Sequence, residues 1–206
     1  GIEMTTPPDE AALINFQVGF AWENIIKDAL EASGRTFRFQ EPLSMPELNL
    51  SGTAEFVVDL GHDLWLIADT KTMRSQWFWY LANTNKDFLK NSPEYELQVG
   101  AYVLMARSMG LNVPRGQLAF ISKDDGMIWR EIGVPLTPEL EKKIRDRCAY
   151  LNGFPDSGKL PPCECTGWKQ GYCSFGDPTT MQKNKKGKLL NTSCCSEELW
   201  KKSTSN

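Results

Sequence analysis

Glu55, Asp69, Thr70 and Lys71 carry the clearest capacity for chemistry in this sequence. Asp69 and Lys71 stand two apart in Leu64-Trp65-Leu66-Ile67-Ala68-Asp69-Thr70-Lys71-Thr72, a strand-like run in which both share a face with Ile67. Glu55 lies in a second such run, Gly52-Thr53-Ala54-Glu55-Phe56-Val57-Val58-Asp59, on the face of Val57 and Asp59. Carboxylates and an ammonium are costly to bury beside strand residues unless they pair with one another or with a cation. Two carboxylates, the Thr70 backbone carbonyl and a lysine form a hard-oxygen site suited to Mg2+ or Mn2+. The lysine is then free to orient a nucleophilic water or to stabilise charge building on a phosphate. An arbitrary Asp-x-Lys is most often a pair of edge-strand surface charges, so the surrounding residues must decide.

Composition removes several competing chemistries. The single histidine, His62, sits in a turn-like Gly61-His62-Asp63, which excludes a multi-histidine zinc site and leaves a Ser-His-Asp mechanism without a visible partner. All six cysteines fall at or after position 148. A local cluster behind a cysteine-free body reads as a metal or cluster site rather than a disulfide framework. The net charge of −3 gives no global attraction to nucleic acid, although Lys183, Lys185, Lys186, Lys188, Lys201 and Lys202 make a basic tail, either solvated or in contact with phosphate. With 41% hydrophobic residues, the 206-residue chain can bury one core and carry a small appendage. Its apolar runs are far shorter than the roughly 20 residues that span a bilayer. No membrane association and no secretory leader are expected, which points to the cytoplasm.

The elements that must position these residues follow from periodicity. Residues 15–32 place Val18, Ala21, Trp22, Ile25, Ala29 and Leu30 at helical spacing, closed by Ser33-Gly34. Residues 36–40 read as a short strand and 41–48 as a proline-containing loop. Strands over 51–60 and 64–72 form a hairpin about Gly61-His62-Asp63. Residues 76–88 read as an aromatic-rich helix, with one or two of Trp77, Phe78, Trp79 and Tyr80 buried. A helix over 94–109 opens with Pro93 and ends at Gly110, and strands over 118–122 and 127–134 form a second hairpin. A capped helix covers 137–151, with Cys148 on its apolar face. The order gives an α/β core with a central mixed sheet flanked by helices, over 1–154, and an irregular cysteine- and lysine-containing region over 155–206.

Glycine, two residues, an acid, then a strand, a turn and an aromatic-aliphatic strand ending in Asp69-Thr70-Lys71-Thr72 resembles the PD-(D/E)XK nuclease superfamily, in its RecB-like exonuclease branch. The chain is similar in this to CRISPR-adaptation and phage recombination exonucleases. Gln98-Val99-Gly100-Ala101-Tyr102 looks like the Gln-x-x-x-Tyr motif of that branch, and Glu23 stands on the first helix where the superfamily places a Glu or His supporting the metal. The resemblance covers roughly residues 15–150. It implies a restriction-endonuclease-like core that hydrolyses DNA phosphodiester bonds with Mg2+ or Mn2+, as an exonuclease in recombination, repair or processing. Carried over by position, Glu55 and Asp69 are metal ligands, Thr70 supplies a carbonyl, Lys71 is the catalytic lysine and Glu23 binds metal directly or through water. Gln98 and Tyr102 sit at the catalytic face. The first acid is usually aspartate and here is Glu55; Asp59 is the alternative ligand, disfavoured because it adjoins the turn.

The resemblance also bears on the cysteines. Cys163, Cys165 and Cys173, with Cys194, Cys195 or Cys148 as a fourth ligand, suit an iron–sulfur cluster or Zn2+, and several RecB-like nucleases carry a four-cysteine cluster. Gln170 occupies the place of one such cysteine, and no cysteine precedes the core, so the usual clasp of the two chain ends is excluded. A site within the tail and a remnant with reduced thiols both remain open. The implied partners are DNA and a recombination or single-strand-annealing protein, in a bacterial host cell if the chain is phage-encoded. The competing function is a non-catalytic DNA-binding or assembly protein on the same fold, with a structural zinc module.

Overall fold

The two-residue loop His62-Asp63 joins the central strands, whose register shifts by one at a bulge between Asp59 and Gly61. Both loop residues are left-handed, with φ of 55° and 59°, the geometry whose twist matches a right-handed hairpin. The structure, a computed structural model, describes residues 10–76, 78–79, 89, 93–124 and 129–154, with the backbone of 181–183 and 189–191. The hairpin joins β2 (Leu50–Gly61) to β3 (Leu64–Met73). β1 (Phe37–Met45) pairs antiparallel with the outer side of β2. Residues 41–45, expected as loop, extend this strand. Pro42 is tolerated there because β1 is the sheet edge, where a missing N–H breaks no ladder on the solvent side. A 3-10 turn, Pro46–Leu48, leads into β2.

Beyond β3 the chain returns through α2 (Pro93–Ser108) to β4 (Gly116–Ser122), which lies parallel to β3, and β5 (Trp129–Val134) closes the sheet antiparallel to β4. The order is β1-β2-β3-β4-β5. α1 (Glu10–Ala32) begins earlier than expected, and α3 (Pro138–Asn152) opens as expected on Thr137, whose hydroxyl oxygen accepts the Leu140 N–H at 3.2 Å. This is the α/β core with a central mixed sheet flanked by helices that the sequence predicts.

α2 is the helix that fixes the sheet from one side. Val99 and Val103 are fully buried beneath it, and they fit because β4 starts with Gly116, where a Cβ would stand 2.2 Å from Val99 Cγ1. The helix ends on Gly110 at φ 89°, with Gly110 N–H donating to Arg107 O and Leu111 N–H to Ala106 O, a Schellman arrangement that satisfies its last carbonyls. Leu140 and Ile144 of α3 join the same core, and Cys148 packs against it half-buried. Phe78 is buried and Trp79 half exposed; Trp77, Tyr80 and most of the aromatic helix expected over 76–88 lie outside the described residues.

The chain divides into two compact units, residues Phe16–Asn152 and residues Gly1–Asn15 with Gly153–Asn206. In the second, β6 (Met181–Lys183) and β7 (Leu189–Asn191) pair antiparallel. Cys163, Cys165, Cys173, Cys194 and Cys195 lie outside the described residues. Among the described residues no helix is long and apolar enough to cross a membrane.

Candidate active site

Glu55 and Asp69 meet at an interruption of the ladder. The β2–β3 pairing starts at Gly61↔Leu64, shifts by one at a bulge between Asp59 and Gly61, and then runs from Asp59↔Trp65 to Phe56↔Ala68, where it stops; one step further, that second register sets Glu55 opposite Asp69. There the Thr70 N–H donates to Glu55 Oε2 at 2.7 Å and the Thr70 hydroxyl donates to the same oxygen at 2.6 Å. On its other side β3 stays in register with β4 through Asp69↔Leu118, Thr70↔Ala119 and Lys71↔Phe120. Asp69 and Lys71 are thus carried by a strand braced where β2 leaves it. β2 itself is distorted at this point. Ala54 and Val57 both lie in the main core, although residues three apart on a regular strand face opposite ways, so the alternation inverts around Glu55. β1 follows: Arg38 and Glu41, also three apart, meet at 2.9 Å, and Gln40 between them has φ 52°.

The cluster holds more negative charge than its lysine balances. Asp69 is 1% exposed. Its Oδ2 contacts Lys71 Nζ as an ion pair, yet no hydrogen bond of ordinary geometry reaches that oxygen. Lys71 Nζ lies 4.0 Å from Glu55 Oε1. Burial pushes the Glu55 carboxyl up to about 7, and the Asp69 charge pushes the same way, against the Thr70 hydrogen bonds and Lys71. Burial likewise raises Asp69 in spite of Lys71, and raises Glu23 with Asp69 adding to it. For Lys71, burial disfavours the charge, but the attraction of Asp69 and then Glu55 outweighs it and holds the ammonium above its ordinary value. Such a constellation is relieved by additional positive charge.

The donors at the cluster are oxygens, which suit a hard divalent cation. Mg2+ is usually held by one or two carboxylates, with water and substrate phosphate completing its shell, and Glu55 and Asp69 provide that number. The four expected ligands Glu23, Glu55, Asp69 and Thr70 are not drawn into one cage: among the described residues no three or more Asp, Glu, His and Cys converge as a metal-binding group. Glu23 accepts a hydrogen bond from Gln40 Nε2 at 2.8 Å and lies within the electrostatic influence of Asp69 and Lys71. Asp59 serves the hairpin, its Oδ1 accepting the Gly61 N–H at 2.7 Å.

α2 turns one face to this cluster. Tyr95, Gln98 and Tyr102 share a stripe at i, i+3 and i+7; the Tyr95 ring centroid is 5.3 Å from Lys71 Nζ, and Gln98 Nε2 donates to Tyr102 Oη at 3.0 Å. Gly52 admits Tyr102 against the start of β2, since a Cβ there would lie 2.9 Å from Tyr102 Cε1. Sequence reasoning missed Gln40 and Tyr95. Tyr95 was findable, being one turn ahead of Gln98 on the same face. Gln40 gives no sequence signal, because glutamine is not a residue that announces a left-handed backbone.

The sequence matches no protein-family model and no curated protein. Among solved structures it is similar to an alkaline exonuclease from Laribacter hongkongensis, at 10% identity and a TM-score of 0.48, over 64% of this chain and 62% of the other. It is also similar to a protein designated SSO0001, at 14% identity and a TM-score of 0.45, over 77% of this chain and 66% of the other. The chain thus spans less than two thirds of the length of either.

Proposed function

We propose that this chain is a divalent-metal-dependent nuclease that hydrolyses phosphodiester bonds of DNA, as an exonuclease in DNA recombination, repair or processing, with Mg2+ or Mn2+ seated at Glu55 and Asp69. The observation that carries this reading is the pair of buried carboxylates on diverging strands, raised by burial and sharing the single ammonium of Lys71. A structural ion pair needs one acid for one base; a second buried acid is a cost that protonation offsets at low pH and a further cation offsets where the acid is ionised. When bound, the cation would lower the pKa of a coordinated water and neutralise charge on the phosphate.

The residues of the chain do the rest. Thr70, through its N–H and hydroxyl, fixes Glu55 so that Oε1 faces Lys71 while Oε2 is held. Lys71 remains protonated and offers a positive charge to the phosphate oxygens as negative charge develops on them. Tyr95 limits where the ammonium lies, and Gln98 and Tyr102 continue that surface along α2 as hydrogen-bonding groups for a nucleic-acid strand.

A cleavage assay on linear duplex and single-stranded DNA, with Mg2+, Mn2+ or EDTA, tests the reading. Turnover is expected with either cation and none in EDTA, and Lys71→Ala is expected to lower it by at least about 10²-fold while the variant stays folded. Cleavage by Lys71→Ala at the wild-type rate overturns the assignment, and absence of turnover with every metal favours a non-catalytic DNA-binding protein.

A further inference from the structure

Gln40 stands where the β1–β2 ladder is interrupted. Phe39↔Phe56 and Glu41↔Ala54 bracket it, so the register sets Gln40 opposite Glu55, yet these two form no ladder pair. Its φ of 52° is left-handed, a conformation that the Cβ of an L residue disfavours. Glycine adopts that conformation without the penalty, and asparagine with less of it. The chain instead places a long amide there, and the amide is used on Glu23. Strain retained at a position where a cheaper residue exists, next to a perturbed charge cluster, is the pattern of a functional constraint.

We propose that Gln40 is a positioning residue that directs the Glu23 carboxylate toward the Glu55–Asp69–Lys71 cluster and thereby sets the affinity of that cluster for a divalent cation. The proposal rests on the metal-dependent reading of the site given above. Glu55 and Asp69 are carried by the sheet, whereas Glu23 comes from α1, and a carboxylate on a separate element keeps one orientation only if something ties it to the sheet. Gln40 is that tie, from the strand beside Glu55. A neutral amide is the appropriate donor: it occupies one of the roughly four lone-pair positions of the carboxylate and adds no positive charge. A lysine or arginine at position 40 would also hold Glu23, but would repel the cation.

The test uses the full chain stripped of metal, titrated with Mn2+ by calorimetry and melted in EDTA, as wild type, Gln40→Asn, Gln40→Gly, Asp69→Asn and Glu23→Gln. Asparagine tolerates the left-handed backbone but withdraws the amide by one methylene; glycine relieves the strain and removes the amide. Both position-40 variants are expected to melt at or above the wild-type temperature while binding Mn2+ about 10-fold or more weakly, as when the partner that orients a metal ligand is removed. Gln40→Asn is expected to add nothing in a Glu23→Gln background, because the effect passes through Glu23. Unchanged Mn2+ affinity in both position-40 variants, with Asp69→Asn losing it, overturns the proposal and leaves the metal site standing. A further loss from Gln40→Asn in the Glu23→Gln background also overturns it. Failure of the wild type to bind Mn2+, or binding unchanged by Asp69→Asn, overturns the reading of the site and the proposal together.

Discussion

Lys71 at the strand junction and the cations of α3 belong to the same class of interaction and have opposite consequences. On α3, Lys142 pairs with Asp146 and Arg145 with Glu141, each four residues apart along an exposed helix face. Water solvates those charges whether or not they touch, so each pair contributes only about 0.3–0.5 kcal/mol. At Lys71 the side chain is 18% exposed and its partner Asp69 2%, and Glu55 joins without a second base. Here solvation has been withdrawn and the charges do not balance. The α3 pairs are arrangements a helix surface reaches by spacing alone, whereas the Lys71 cluster is held by a break in the sheet and destabilises the metal-free fold. A protein that keeps such a cost at one place, and nowhere else among its described ion pairs, has a use for the charges there.

Glu55→Gln gives the largest separation of the two regions. The amide it introduces can still accept from Thr70 through its carbonyl oxygen, so the change removes charge and keeps the local hydrogen bonds. Cleavage is expected to fall by at least about 10²-fold. The folded-state value of about 7 lies above the ordinary 4.5 of a glutamate, so between those values the native state binds more protons than the unfolded one. Stability of the metal-free wild type therefore falls as pH rises from about 4.5 to 7 and stays low above it. In EDTA at pH 8 the variant is expected to be about 1–2 kcal/mol more stable than wild type, and at pH 4.5 the advantage should vanish. Denaturant melts at the two pH values check this. A variant less stable than wild type at pH 8 would place Glu55 with the ordinary structural pairs of α3.

Much of this was legible in the sequence, for identifiable reasons. Period-two alternation in 51–60 and 64–72, with a turn between them, located β2, β3 and the face of Asp69 and Lys71, because burial of one sheet face forces that pattern. Pro93, Gly110 and Thr137 marked helix ends by their backbone chemistry. The strand over 41–45 was not legible: Pro42 signals a loop unless the strand is known to be an edge, and that is a property of the whole sheet. The inversion of alternation at Gln40 and Glu55 was hidden for the same reason. It depends on β2 parting from β3, which no local propensity encodes, and Gln40 is chosen for what it reaches and not for its conformational preference.

Tyr95 offers an intermediate test of the contrast. Its ring lies along the Lys71 ammonium, and cation–π attraction of about 0.5–2 kcal/mol helps hold that ammonium in the cluster. Tyr95→Leu keeps apolar bulk beside Phe120, whose ring is 6.1 Å away, and removes the quadrupole. Cleavage with saturating Mg2+ is expected to drop about 3- to 10-fold with little change in melting temperature. A variant with unchanged kcat would show that the two carboxylates alone position Lys71.

The smallest effects belong to α3, and they are the control for the rest. Lys142 and Asp146 have side chains 74% and 63% exposed, and salt at 1 M shortens the screening length to about 3 Å, comparable with the pair separation. Lys142→Ala and Arg145→Ala are each expected to cost no more than about 0.5 kcal/mol at low salt, less at 1 M NaCl, and to leave the cleavage rate unchanged. The pH-dependent gain of Glu55→Gln should persist at high salt, because a partly buried cluster is screened far less than a surface pair. If the gain faded with salt in parallel with the α3 pairs, water would be reaching the junction freely, and the charge imbalance there would carry no more energy than a surface contact.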